Sequence, residues 1–458
     1  MSPTRPVITA ALLLLSFEAS ARAAPSSQQG AKLVGAGAVG QSHQGTSVAL
    51  SADGSTAIVG GPYDNLSYEG AVWVYTRSAG VWSQQGGKLG GTGAEEAASQ
   101  GYSVALSADG NTALEGGPQD DGGAGAAWAF TRSAGVWSQQ GPKLVGTGVV
   151  ASQALQGVSV ALSADGNTAI VGGYGDNNSA GAAWVYARSG GVWSQQGGKL
   201  IGTGAGGNAS QGWSVALSAD GNTAIVGGYG DNGGAGAAWV FTRSAGVWAQ
   251  QGVKLVGTGA VGTAQQGRSV ALSGDGSTAI VGGLMDNGAT GAAWVYTRSA
   301  QVWSQHGSKL AGTDAAAPSY QGRSVGLSGD GRTAIVGGAA DDNNVGAAWV
   351  FVDPAVLAAM PPRALSSALR LAPPFPNPTT DKAVIAFSLP RDADVMLGVY
   401  DVAGRCVKTL VAGPTPAGDH TIRWDGRTSA GRPAPDGLYL LDLRADGDQL
   451  TRPLVVLR

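Results

Sequence analysis

The chain has 458 residues, of which 77 are glycine and 13 tryptophan, with 28 Lys+Arg against 31 Asp+Glu and a formal net charge of -3. That length accommodates one large repeat array and a small second domain. Glycine at this level without a G-X-Y period excludes collagen, and the absence of any adjacent pair of basic residues excludes the basic stripe of a nucleic-acid binder.

Residues 1–23 read as a signal peptide. Arg5 supplies the positive start, Ile8 to Phe17 the short apolar core, and Ala21-Arg22-Ala23 a small-x-small cleavage site. An uncleaved N-terminal anchor is the alternative, although the apolar core is too short to span a bilayer.

From residue 24 to 353 one unit is written six times. An Asp-Gly pair falls at Asp53, Asp109, Asp165, Asp220, Asp275 and Asp330, and a tryptophan follows at Trp73, Trp128, Trp184, Trp239, Trp294 and Trp349. A fixed period of this length signals a solenoid or a propeller. In the third unit Ser159 to Leu162 reads as a strand, Ser163 to Asn167 as a tight turn, and Thr168 to Gly173 as the returning strand. A polar loop beginning near Asp176 leads to a third strand at Ala182 to Tyr186, and a fourth runs from Val192-Trp193 towards Lys199-Leu200. Four short strands per unit predict an antiparallel meander, and six meanders around an axis would cover each other's faces.

The ends of the array extend that expectation. Unit six stops at Trp349 to Val352 without writing its fourth strand, while Ser27 to Leu33 near the N-terminus repeats much of the missing piece. The expected fold is therefore all-β: a propeller of six four-stranded blades closed by the N-terminal strand, plus a small C-terminal Ig-like sandwich. An open β-solenoid is the alternative architecture.

The pieces Gly157 to Ala161, Ile170 to Gly173 and Gly181 to Tyr186 resemble the FG-GAP repeat of integrin-α-like propellers. Gln44, Gln100, Gln156, Gln211, Gln266 and Gln321 stand where that family has Phe, and Gly-Gly replaces Gly-Ala. The resemblance implies a propeller fold, and in some members a calcium loop. The hairpin here keeps one carboxylate, too few for calcium, so the Asp53 series is expected to cap turns and neither metal nor cofactor is expected.

The acidic residue opening each polar loop is doubled at Asp120-Asp121 and Asp341-Asp342. These four, together with Trp213, are the candidate ligand-facing residues. Trp213 stands where other units have Tyr102, Val158, Arg268 or Arg323, so it breaks the repeat and is expected to be exposed. The other tryptophans, including the fourth-strand set at Trp82, Trp137, Trp193, Trp248 and Trp303, fit packing between blades. The histidines His43 and His306 lie at unrelated phases, and no His-Glu-x-x-His or Gly-x-Ser-x-Gly motif occurs, so no catalytic residue is assigned.

Residues 354–374 read as a proline-rich linker and residues 375–458 as a small sandwich. Strand patterns run over Ala383 to Leu389, Val395 to Val402, Cys406 to Val411, His420 to Trp424, Leu438 to Leu443 and Pro453 to Leu457. Cys406, the only cysteine, reads as a small buried hydrophobe. Phe375-Pro376-Asn377-Pro378, Val399 to Arg405, Trp424-Asp425-Gly426 and Gly437-Leu438-Tyr439 resemble the FlgD Ig-like, Por-secretion-type domain of exported bacterial proteins. That resemblance implies secretion or surface attachment, with outer-membrane secretion machinery as partner. The expected function is a non-catalytic secreted or cell-surface binding or structural protein whose partner is an extracellular protein or glycan. A secreted hydrolase acting on a glycan from one propeller face is the alternative.

Overall fold

The structure, a computed structural model, describes residues 29–150, 153–353 and 369–457. It divides into two compact units, one ending at Asp353 and one beginning at Pro354. The expected signal peptide and most of the expected linker lie outside the described residues. No helix among the described residues is long and apolar enough to cross a membrane.

The first unit is an array of six antiparallel sheets, five four-stranded and the last three-stranded. In the third, Ser159–Leu162 pairs with Thr168–Gly173, which pairs with Ala182–Ser189, which pairs with Val192–Gln195. The Ser-x-Asp-Gly turn holds the first hairpin. Asp165 accepts from the Ser163 hydroxyl at 2.5 Å and the Asn167 backbone N–H at 2.9 Å, while Ser163 Oγ accepts from the Thr168 N–H at 2.9 Å. Its first-unit counterpart Asp53 has its pKa lowered to about 2 by the hydroxyls of Ser51 and Ser55.

Glycines set the spacing between sheets. A Cβ on Gly172 would lie 2.0 Å from the Gly212 carbonyl oxygen of the next unit, so only glycine allows that approach. Gly146 lies flat on the next unit's Trp184 ring, whose indole N–H donates to the Thr147 carbonyl at 2.9 Å. Gln156, at the position that resembled the FG-GAP phenylalanine, is buried and accepts from the Gly146 N–H at 2.6 Å. The polar side chain is retained because it satisfies backbone that would otherwise be orphaned beneath the tryptophan.

The expected closed ring does not form. Successive sheets pack through their first strands, from Ser47–Leu50 in the first sheet to Ser324–Leu327 in the last. The two end faces, however, are open. Val48 and Leu50 of the first sheet are 67% and 61% exposed, and Ile335 and Val350 of the last are 48% and 62% exposed. Among their interior counterparts, Val160, Val215, Ile170 and Val185 are buried, and Leu162 and Leu217 are half-buried. Gln29 of the segment expected to close the ring, and Gly35 and Ala36 just after it, instead serve the first sheet. The Gly35 N–H donates to Gln44 Oε1 at 2.6 Å, Ala36 O accepts from the Trp73 indole at 2.9 Å, and Gln29 Oε1 accepts from Trp82 at 3.1 Å. In units one to five this sequence makes two half-contacts, one with its own third strand and one with the following sheet. Near the N-terminus only the second half has a partner within the chain. The architecture is an open array.

The second unit contains two sheets. Arg370–Leu371, Ala383–Leu389 and Gly418–Trp424 form one, and Cys406–Thr415, Ala393–Asp401, Gly437–Ala445 and Asp448–Val456 form the other. Alternate residues of Ala383–Leu389 are buried, and Ile385 and Phe387 join Leu397, Val399, Leu441 and Leu443 in one core. The sequence placed Arg370 and Leu371 in a linker, but Leu371 is buried in that core and draws them into the sheet. Cys406 is exposed rather than buried, because it opens the outermost strand of its sheet.

Candidate functional site

Two phases of the repeat meet along one edge of the array. One is the residue before the serine that opens each sheet, and the other is the residue after the Gly-Gly that closes the second strand. Strand register brings these ends together, since Ser214 stands opposite Gly227. In units three to five the two phases hold Tyr174, Trp213, Tyr229 and Arg268, and these side chains form one cluster.

Trp213 is half-buried, not fully exposed as its sequence position suggested. Its ring lies 4.7 Å from that of Tyr174 at 60° and 4.8 Å from that of Tyr229 at 79°. The Arg268 guanidinium carbon sits 4.1 Å from the Trp213 centroid and 5.3 Å from that of Tyr229. A cation over an indole face is stabilised by about 0.5–2 kcal/mol, which orders the arginine without consuming its N–H donors. No acceptor among the described residues receives those donors. Desolvation, then the neighbouring charge of Arg323, lowers the Arg268 pKa. Burial, then the neighbouring Tyr229 and Tyr102, raises that of Tyr174. These influences mark Tyr102 and Arg323 as neighbours of the cluster. Tyr174, Tyr229 and Arg268 were not singled out from sequence, although each occupies the same phase as a variable residue in every other unit.

In the first unit, His43, Tyr63 and Tyr68 form a second aromatic group, with ring centroids 4.8 Å and 5.6 Å apart in succession. They line a depression of about 520 Å³ with Asn65 and Leu66.

The acidic candidates divide by burial. Asp120 is buried, accepts from the Glu95 N–H at 2.7 Å and holds Lys143 at 2.7 Å. Asp176, Asp231 and Asp286 each hold a lysine at 2.5 Å, so this series ties its loop to the strand leading to the next sheet. Asp341 is also buried and accepts from the Ala316 N–H at 2.7 Å. Asp120 and Asp341 therefore do not face outward. Asp121 and Asp342 are exposed, both at φ 49°, on the tight turns that follow. Among the described residues no group of histidine, cysteine, aspartate or glutamate is arranged to hold a metal ion.

One titratable group stands apart. Glu115 replaces the valine found at this phase in the other five units, opposite Trp128. It is 1% exposed, and neither carboxylate oxygen has a hydrogen-bond partner. Desolvation raises its pKa to about 8, opposed weakly by the nearby Gly91 N–H, which is already donated to Gln100 Oε1.

Comparisons with known proteins bear mainly on the second unit. Residues 377–449 match the FlgD Ig-like domain family. In this domain Trp424 is buried with its indole N–H on the Arg427 carbonyl at 2.9 Å, and Asp401 closes a turn by accepting from the Ala403 and Arg405 N–H groups at 3.0 Å. No curated protein sequence matches the chain. Among solved structures, a protein assigned as a 6-phosphogluconolactonase from Bacteroides uniformis aligns at 12% identity with a TM-score of 0.47, covering 82% of this chain and 88% of that one. A second protein so assigned, from Bacteroides fragilis, aligns at 13% identity with a TM-score of 0.48, covering 68% and 81%. TolB from Acinetobacter baumannii aligns at 14% identity with a TM-score of 0.32, covering 57% and 55%. The FlgD Ig-like domain is characteristic of exported, cell-surface-associated bacterial proteins, and it places this chain outside the cytoplasm.

Proposed function

We propose that the protein is a non-catalytic binding module of the bacterial cell surface, carried there by its C-terminal domain through outer-membrane secretion machinery. Its ligand is an acidic extracellular glycan recognised at the Tyr174, Trp213, Tyr229 and Arg268 cluster. The observation that carries this reading is Arg268: a half-buried guanidinium, fixed against an indole, with its donors unused. Sugar rings stack on aromatic faces, and a carboxylate or sulfate group accepts the forked N–H donors of arginine.

A glycan array probed with the full chain and with Trp213→Ala tests the proposal. Acidic glycans should be retained by the wild type and lost by the variant. Retention of neutral and acidic glycans alike, unchanged by the substitution, would overturn it. Cleavage of a retained glycan by the wild type would replace binding with the hydrolase reading.

A further inference from the structure

We infer that the two open ends of the array are the two halves of one interface, and that a second copy of this chain docks head to tail on the first. The interface already exists within the chain wherever one sheet packs on the next, and three features of it are left half-made at the ends.

The first is apolar packing. In the interior, Ile170 and Val185 of one sheet join Val215 and Val226 of the next in a single core. At the ends, Ile335 and Val350 present the former surface, exposed, and Val48 presents the latter, exposed, with Leu50 beside it at the position of Leu217, which packs against that core in the interior.

The second is a ladder of backbone hydrogen bonds from turn to turn. It begins with the Ala52 N–H on Ala108 O at 2.9 Å and ends with the Gly274 N–H on Gly329 O at 2.8 Å. The Gly329 N–H and the Ala52 carbonyl have no such partner among the described residues. They are the donor and acceptor that one further rung would need.

The third is the tail strand. In the third unit Leu200 pairs with Ala183, and Lys199 holds the buried Asp176 at 2.5 Å. The last unit has the corresponding Ala348 and Asp341 but no tail strand. The N-terminal segment has the corresponding Lys32 and Leu33 but no third strand to meet, and Lys32 has no ion-pair partner among the described residues. Placing Lys32 of one copy on Asp341 of another satisfies a buried carboxylate that every earlier unit but this one pairs with a lysine. A contact between different surfaces of identical chains leaves a free head and a free tail on every assembly, so it can add further copies.

The test uses two variants of the full chain, each blocking one end at an exposed residue with the same charge, so that two blocked ends also repel: Val350→Asp on the last sheet and Val48→Asp on the first. Sedimentation from nanomolar to high micromolar concentration should show the wild type growing into a ladder of oligomers. Each variant alone should remain monomeric, with association weakened by about a hundredfold or more because a charge must be buried unpaired. An equimolar mixture should give dimers and nothing larger, because one intact head meets one intact tail. A monomeric wild type throughout, a variant that self-associates alone, or a mixture that stays monomeric would each overturn the inference.

Discussion

Replacing Glu115 by valine should stabilise the protein, and more so as pH rises. The folded state holds this carboxyl under Trp128 with no partner and a pKa of about 8, against an ordinary value of 4.5. Below pH 4.5 the group is protonated in both folded and unfolded chains, and its contribution is complete. As pH rises the unfolded chain ionises first, so stability falls by about 1.4 kcal/mol per pH unit until the folded carboxyl titrates near pH 8. The loss over that window is about 5 kcal/mol, of which about 3 kcal/mol is already incurred at pH 7. Valine removes this dependence and also the burial of an unbonded polar group. For an array of this size, with an unfolding entropy of about 2.1 cal/mol/K per residue, 3 kcal/mol corresponds to a rise in Tm of about 4 °C. Thermal unfolding followed by circular dichroism at pH 5 and pH 8 reads both effects. The gap between variant and wild type should be small at pH 5 and large at pH 8. Parallel pH profiles for the two proteins would refute the reasoning and show that Glu115 ionises without penalty in the folded chain.

Three further outcomes follow from the same packing. Lys199→Met leaves the buried Asp176 carboxylate unpaired and should cost about 3–5 kcal/mol, read as a lowered Tm at neutral pH; an unchanged Tm would mean that solvent reaches Asp176. Gly146→Ala places a methyl group 2.2 Å from Trp184 and should destabilise by at least about 1–3 kcal/mol, with a red-shifted tryptophan emission as the indole is displaced. Deleting residues 375–458 should leave the array folded but absent from the cell surface of the native host, as fractionation and protease shaving would report; normal delivery would remove the sorting role.

Local structure followed closely from local sequence. The hairpin around Asp165 needed only residues within reach of the turn, so its form was readable from Ser-Ala-Asp-Gly-Asn. Closure depended on something no single unit encodes, the angle between one sheet and the next repeated over six units. The resemblance of Ser27 to Leu33 to an internal tail strand was real, but the chain continues straight into Gly35 and Ala36, which bind Trp73 whether or not a ring exists. The ion pair of the Asp176 series was not foreseen because its lysine lies 23 residues away in a different element. The constant phase of Lys143, Lys199, Lys254 and Lys309 against these aspartates was the available signal. Trp213 stood out as a break in the repeat, whereas Tyr174, Tyr229 and Arg268 emerged only when register joined two phases.

The binding account rests on the unused donors of Arg268, and a calorimetric titration of the full chain with an acidic oligosaccharide tests it most directly. Wild-type protein should bind with an affinity that weakens as salt is raised, and Arg268→Gln should lose most of that affinity and most of its salt dependence. Equal affinity and equal salt dependence in the two proteins would contradict the claim that this cluster is the site.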